Sequence, residues 1–566
     1  MIRKIIECVP NFSEGRDIRV ISQITDEIKK IEGVKLLNVD PGAATNRTVV
    51  TFVGEPEKVL EAAFFAIKKA GEIIDMRHHH GEHPRMGATD VCPIIPISNI
   101  TLEECAMLGR ALAKRVGEEL GIPVYCYESS AYKPERRNLA SCRSGEYEGL
   151  AKKFENSEWK PDFGPTQFND CIARTGCSAI GARDFLVAIN YNLNTTSVRR
   201  ANAIAYDVRE KGRKKREGDL ITGSVIKDNE GREVWIPGTL KGCKAIGWYI
   251  EEYGIAQVSM NVTNISVTPV HIAFDEVCAK AQARGLRVTG SEIVGLIPKK
   301  VLIDAGKYYL NKQQRSLGIT EEEIIKIAVK SMGLDDLKPF NPHEKVIEYL
   351  MEDGKKKCLI DMTCKGFAYE TASESPAPGG GSISAYMGAL GVSLGTMVAN
   401  LSSHKPGWDS QWENFSCWAE KGQIIINNLL HFVDEDTNAF NKIMEAFGLP
   451  KENTEESGIR TAAIQEATLY ATQVPLNTMK EAFSGFDIVE AMAKEGNPNS
   501  VSDAGVGALA LWSAVQGAWL NVKINATGLK DKDIAGKFLD QASKIAADAD
   551  LRRDSVLEIV NNIIKK

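Results

Sequence analysis

The spacing of apolar residues changes once along this chain, near residue 351, and that change restricts the fold more than any other feature. Before it, short β-branched runs alternate with amphipathic helical stretches. Residues 5–9, 34–39, 48–53, 91–97 and 123–127 read as strands, and 17–31, 56–75 and 101–120 as helices. Thr101 and Glu104 form a capping-box pattern ahead of the last of these. A second unit of the same kind starts near Phe185, with strands at 185–189, 245–250, 257–262 and 287–295 and helices at 196–211 and 270–284. The order β-α-β-β-α-β is the split βαβ pattern of a ferredoxin-like sheet. Past residue 351 only helices are read, with breaks at 376–381, 448–456 and 496–503. The expected architecture is multidomain: two α/β ferredoxin-like (split βαβ) subdomains at 1–184 and 185–351, a polar linker at 352–358, and an all-α helical domain at 359–566.

Composition excludes several functions. A net charge of −6 argues against a dedicated nucleic-acid binder. The 12 cysteines include no Cys-x-x-Cys pair and no zinc-spaced cluster, so no metal is expected, and reduced thiols in a cytoplasmic compartment are. The first residues lead straight into a strand-like run with no h-region or small-residue cleavage site, so no targeting segment is expected. The longest apolar stretch, 386–399, is about 14 residues, short of the roughly 20 that cross a membrane. Residues 209–228, with Arg213-Lys214-Lys215-Arg216, read as a basic, exposed loop.

A few residues stand out as chemistry. His83 lies in Glu82-His83-Pro84-Arg85-Met86-Gly87. A lone histidine is more often structural or superficial, and His78, His79 and His80 are consecutive residues of a kind that seldom make a metal site. Pro84 nevertheless restricts His83 to extended backbone, and an imidazole so held suits acid/base work near neutral pH. Asn11 is either an N-cap or an amide offered at a sheet edge. Asp40 ends one strand and Thr45-Asn46-Arg47-Thr48 begins the next, and a carboxylate at a strand end can orient a histidine. In the helical part, Leu429, Phe432, Val433, Ala439, Phe440, Ile443 and Phe447 gather on one stripe, with Asp436 near its middle and Asp434 and Glu435 outside it. A carboxylate on an apolar face is costly to bury unless paired or protonated, and burial raises its pKa toward that of a useful base. Residues 376–382 are either a linker or a Gly-rich approach to a helix N-terminus suited to an anion. Residues 496–503 are a second polar loop entering a helix.

Taken together, these stretches resemble the formiminotransferase-cyclodeaminase family over nearly the whole chain, in order. The matching runs are Ile6-Glu7-Cys8-Val9-Pro10-Asn11-Phe12-Ser13-Glu14-Gly15, Thr45-Asn46-Arg47-Thr48, the stretch around His83, Trp159-Lys160-Pro161-Asp162-Phe163-Gly164-Pro165 and Ile246-Gly247-Trp248-Tyr249, with Ala377-Pro378-Gly379-Gly380-Gly381-Ser382 and Val433-Asp434-Glu435-Asp436 in the helical part. The resemblance implies a bifunctional folate enzyme of histidine degradation. Formiminoglutamate passes its formimino group to tetrahydrofolate, the co-substrate in polyglutamylated form, and glutamate leaves. The 5-formiminotetrahydrofolate then closes to 5,10-methenyltetrahydrofolate with loss of ammonia. It further implies His83 as catalytic residue with Asp40 as its acidic partner, and folate contacts at Gly164, Pro165, Thr166, Phe168, Gly176 and Gly238. Asn11 and Arg47 join them as substrate contacts. For the second reaction it implies Asp436 as the catalytic acid, with Gly380, Gly381, Ser382 and Asn499 as binding residues. The family forms homo-oligomers through its helical domains and has no nucleic-acid or membrane partner.

Three departures qualify the match. The chain is slightly longer around 169–175, and it carries an insertion at 209–235 beside the second folate contact. Its 496–503 loop is more similar to single-domain methenyltetrahydrofolate cyclohydrolases. The helical domain could therefore hydrolyse the methenyl ring instead of closing it, or serve only for oligomerisation. The basic segment at 209–216 could contact RNA, dock anionic polyglutamyl folate tails, or simply be solvated.

Overall fold

The computed structural model describes residues 4–42, 46–81, 84–218, 223–352 and 358–565. Val9-Pro10 interrupts the first strand, leaving β1 (Ile5–Cys8) and β2 (Asn11–Phe12) as two pieces of one line. After α1 (Ile18–Lys29), the strands β3 (Val34–Gly42) and β4 (Arg47–Gly54) form an antiparallel pair. α2 (Pro56–Ile73) then leads to β5 (Thr89–Ser98). β1 and β2 both lie between β4 and β5, so the spatial order is β3-β4-β1/β2-β5, that of a ferredoxin-like sheet. α3 (Leu102–Leu120) opens with the expected capping box: the Thr101 hydroxyl accepts from Glu104 N at 3.2 Å while Thr101 N donates to Glu104 Oε2 at 2.8 Å. β6 (Val124–Glu128) and β7 (Ser178–Ala182) widen the sheet, with β7 parallel to both β5 and β6. One face packs Cys8, Phe52, Ile94 and Ile180 against Ile24, Ile67 and Leu112 of the helices. The other carries a smaller core of Met86, Val91, Tyr125 and Phe154.

The same order recurs in the next stretch. β8 (Val187–Leu193), α4 (Val198–Val208), the short ribbon β9 (Arg213–Lys214) with β10 (Trp235–Ile236), β11 (Cys243–Ile250), β12 (Ile255–Val262), α5 (Val270–Gln282) and β13 (Val288–Val294) follow in turn. They give the sheet β11-β12-β8-β13, antiparallel throughout. The basic segment expected as an exposed loop is instead hydrogen-bonded structure. Lys215 N donates to Val234 O at 2.7 Å and Ile226 N to Lys215 O at 2.9 Å, and Arg213 is buried beside Asp207.

Two helices, α6 (Lys299–Lys312) and α7 (Glu321–Met332), precede the all-helical part, made of α8 (Gly380–Ser403), α9 (Trp412–Phe447), α10 (Thr454–Ser484), α11 (Phe486–Glu495), α12 (Val501–Thr527) and α13 (Lys532–Ile564). The molecule divides into two compact units. One holds the described residues up to Val301 and from Met332 to Glu352; the other holds Leu302–Ser331 and the described residues from Cys358 onward. The division differs from a boundary near 351, because residues 302–331 pack within the helical unit. Asn400 Nδ2 donates to Gly318 O at 2.9 Å, and Leu317 N to Ser416 Oγ at 3.0 Å. Residues 353–357 of the expected linker lie outside the described residues.

The apolar stretch at 386–399 extends into a 24-residue helix, α8, which by length and composition is long enough to cross a membrane. Most of it is instead buried in the helical unit. Its small residues explain the packing: Gly391 meets Gly507 and Leu511 of α12, and Gly395 meets Val489 of α11.

Candidate active sites

The first site gathers at the ends of β2, β4 and β5. Asn11 is buried on β2, with Val49 on one side and Val91 on the other, and Arg47 donates to its Oδ1. Asp40 stands in the same row across β4, opposite Val49, and is exposed. Glu82 and His83 lie outside the described residues, but the chain on both sides of them is fixed. On one side, His79 Nε2–H donates to Asn46 O at 2.8 Å, while its Nδ1 accepts from Arg85 Nε at 3.3 Å. Those two bonds assign the neutral tautomer. Burial lowers the His79 pKa, the Asn46 carbonyl opposes this, and the Arg85 charge lowers it further, so the ring is neutral at pH 7. Three consecutive histidines thus include one spent on the scaffold.

On the other side, the Arg85 guanidinium is buried and bonded to Glu148 at 2.6 Å and to Glu146 at 3.2 Å. His80, Gly81 and Arg85, with Gly145, Glu146 and Glu148, line a cavity of about 510 Å³. Gly87 accepts the Ser13 hydroxyl at 2.8 Å and bridges to Gly176. Gly176 adopts φ +68°, and any side chain there would collide with Gly87 Cα, so only glycine lets the two backbones meet.

The expected folate stretch is therefore seated directly on the loop that follows His83 in sequence. Within it, Gly164 packs on the Ile122 carbonyl, Pro165 is half-buried, and Thr166 and Phe168 are exposed. Gly238 belongs to the second sheet's layer, where its neighbours are the carbonyls of Asp207 and Arg209 on and just after α4.

The second site lies in the helical unit, at the N-terminus of α8. Asp436 projects from α9 and its Oδ2 accepts from Ser382 N at 3.0 Å and Ser382 Oγ at 3.3 Å. Gly381 faces the carboxylate so closely that a side chain there would displace it. Gly380 approaches Asn521 of α12. The carboxylate thus caps α8 from a neighbouring helix. Burial raises its pKa, and the two bonds from Ser382 oppose the rise without cancelling it.

The apolar stripe drawn around Asp436 is only partly a core. Leu429, Val433 and Ala439 are buried, whereas Phe440 and Phe447, on the same stripe, are exposed. Asn499 is not brought to Asp436. It follows Asn497, whose N–H donates to Ser402 Oγ at 2.8 Å at the far end of α8. At 1.5 Å per residue the two ends of that helix are about 30 Å apart. Sequence reading missed Asn521 and Tyr470, the latter donating to Glu435 one residue from Asp436. For Asn521 the available signal was a polar side chain sharing a helix face with Gly517, Ala518 and Ile524.

Comparison with known proteins adds a frame to both sites. The family described as the formiminotransferase domain, N-terminal subdomain, matches residues 5–183. The formiminotransferase domain matches 188–352, and formiminotransferase-cyclodeaminase matches 363–544. A formimidoyltransferase-cyclodeaminase of Gallus gallus is 41% identical over 543 residues, covering 96% of this chain and 95% of its own length. A glutamate formimidoyltransferase of Streptococcus pyogenes is 43% identical over 307 residues, 54% of this chain and 93% of its own. A methenyltetrahydrofolate cyclohydrolase of Methylorubrum extorquens is 36% identical over 200 residues, 35% of this chain and 96% of its own.

Proposed function

Because the chain belongs to the formiminotransferase-cyclodeaminase family, and so transfers a formimino group from formiminoglutamate to tetrahydrofolate and then closes the ring with loss of ammonia, we propose that two separate sets of residues carry the two steps. For the transfer, His83 moves the proton as folate N5 attacks the formimino carbon, and Asp40 holds the imidazole. Asn11 and Arg47 bind the substrate. Phe168, an exposed aromatic beside Gly164, Pro165 and Thr166, offers a face to the planar part of the folate. The seating of Gly176 on Gly87 supports this arrangement.

For ring closure, Asp436 takes the proton from folate N10 as that nitrogen attacks the same carbon, and returns it to the departing ammonia. Its Oδ1 has no hydrogen-bond partner among the described residues, while Oδ2 is tied to Ser382. One oxygen is held and the other is available. That asymmetry is the observation that carries the assignment. Gly380, Gly381 and Ser382 form the wall beside it.

Several finer features are part of the same reading. The folate is polyglutamylated. The protein works in a reducing, cytoplasmic compartment, in keeping with its free cysteines. It assembles through the helical unit, where Leu390, Met397 and Leu401 leave an apolar stripe of α8 exposed. Formiminoglutamate, tetrahydrofolate and protein, mixed, should yield glutamate, ammonia and the methenyl chromophore together. Release of glutamate from formiminoglutamate, with no ammonia formed from supplied 5-formiminotetrahydrofolate, would favour the cyclohydrolase reading that the Methylorubrum relative raises.

A further inference from the structure

Asp90 is the extra residue of a β-bulge. Asn11 of β2 lies opposite Val91 of β5, and Phe12 lies opposite Thr89, so Asp90 between them is unmatched on β2. Its side chain is fully buried. Oδ1 accepts from Met86 N and from Arg143 Nε, both at 3.2 Å, and Oδ2 accepts from Arg143 Nη2 at 2.5 Å. The bulge therefore joins the loop that follows His83, through Met86, to the guanidinium at the end of the short helix Leu139–Arg143.

Asp90 occupies one edge of that guanidinium. Arg143 Nη1 makes no hydrogen bond among the described residues, and the side chain keeps 15% of its surface open. An arginine held along one edge by a buried carboxylate has its other edge fixed in direction, ready to grip a second carboxylate at two points. Arg143 also acts on the first site's other arginine. Burial lowers the Arg47 pKa, the charge of Asp90 opposes this, and the charge of Arg143 lowers it further. Two guanidinium groups thus share the field of one buried carboxylate beside Asn11. Gly145 and Glu146, just past Arg143, line the cavity shared with Arg85.

Formiminoglutamate presents two carboxylates. The α-carboxylate is on the carbon that bears the reacting nitrogen, so it stays with Asn11 and Arg47. The γ-carboxylate lies farther along the side chain. We propose that Arg143, held by Asp90, binds this γ-carboxylate and so makes the transferase select a glutamate derivative. The inference rests on the reading of Asn11 and Arg47 as substrate contacts, and adds the residue that recognises the far end of the substrate.

Steady-state kinetics of glutamate release, with N-formiminoglutamine as the competing substrate, test it. That compound differs only in a neutral γ-carboxamide, and the wild type should use it far less well. Arg143→Gln combined with Asp90→Asn removes both charges, so no buried carboxylate is left unpaired. The double variant should raise KM for formiminoglutamate by about tenfold or more, change kcat less, and lose its preference over formiminoglutamine by a similar factor. KM for tetrahydrofolate should stay the same. Arg143→Lys keeps a charge beside Asp90 but not the fork, and should raise KM while retaining part of the preference. A wild type without preference, or a double variant that loses equally on both substrates, overturns the proposal. Should the double variant fail to fold, an unchanged KM in Arg143→Lys overturns it as well. Arg47→Lys separates the two readings. If it raises KM while the Arg143 variants do not, only the role of Arg143 falls; if neither position moves KM, the placement of the substrate at Asn11 and Arg47 falls with it.

Discussion

Asp436 is pulled in two directions: burial disfavours its charge, and two hydrogen bonds from Ser382 favour it, with burial the larger. A base must be ionised to act. Ring closure should therefore rise with pH through a pKa above the ordinary value of about 3.9. Asp436→Asn keeps an oxygen to accept from Ser382 but cannot take a proton. It should lower kcat for ammonia release by roughly 10²–10⁴-fold, remove the acidic limb, and spare glutamate release. A pH–rate profile on supplied 5-formiminotetrahydrofolate measures this, and an acidic limb surviving in the variant would assign the proton transfer elsewhere. Glu7 presents the opposite situation, a buried carboxyl with no place in the proposed chemistry. It is 4% exposed, and burial pushes it up to about 7 against the opposing charge of Arg183. The unfolded value is about 4.3, so the fold holds a proton that the unfolded chain releases. That stabilisation is present below about pH 4 and is lost as pH rises through about 7. Glu7→Gln should flatten the dependence and gain on the order of 3 kcal/mol over the wild type between pH 4 and 8. Calorimetric melting at both pH values reads the difference, and parallel shifts in the two proteins would show that Glu7 ionises normally.

Elements were legible where periodicity and caps agree. The first sheet's strands and the capping box at Thr101 could be read because alternation, helical spacing and end signals coincide. β7 was not, since Ser178-Ala179-Ile180-Gly181-Ala182 is small-residue sequence whose strand state comes from two parallel neighbours. The basic segment at 209–228 reads as an exposed loop because its charges dominate, while the pairing that buries Arg213 is a tertiary fact. The same limit applies to the distance between Asn499 and Asp436. Sequence order gives no hint that the 496–503 loop and Asp436 serve opposite ends of one long helix. The place of Asp436 on the helix face of Val433 and Ala439 was legible because a helix stripe is a local property. The exposed stripe of α8 is local too, and it carries its own expectation. Leu390→Glu with Leu401→Glu should lower the assembly state in light scattering and leave the helical content unchanged, since both side chains already face outward. An unchanged mass would move the interface to another face, with Leu520 and Ile524 of α12 the next apolar surface.

At the scale of the whole molecule, chain order and packing disagree over residues 302–331. They precede the linker, yet Gly318 lies against Ala419, Lys307 pairs with Glu420 at 3.7 Å, and Asn400 binds the Gly318 carbonyl. A composition boundary at 351 cannot register this, because a helical hairpin carries no mark of which neighbour it will join. The arrangement predicts how the protein responds to a single cut. If a protease site is placed within residues 353–357 and cleaved, the first fragment still owns the hairpin embedded in the helical unit of the second. The two fragments should co-elute in gel filtration, retain both glutamate and ammonia release, and part only when denaturant melts the helices. Gly318→Leu, which forces a side chain into the Ala419 backbone, should let the cut fragments separate without denaturant. Separation of the wild-type fragments on cleavage alone would mean that the hydrogen bonds at Gly318 and Leu317 do not hold the hairpin in place.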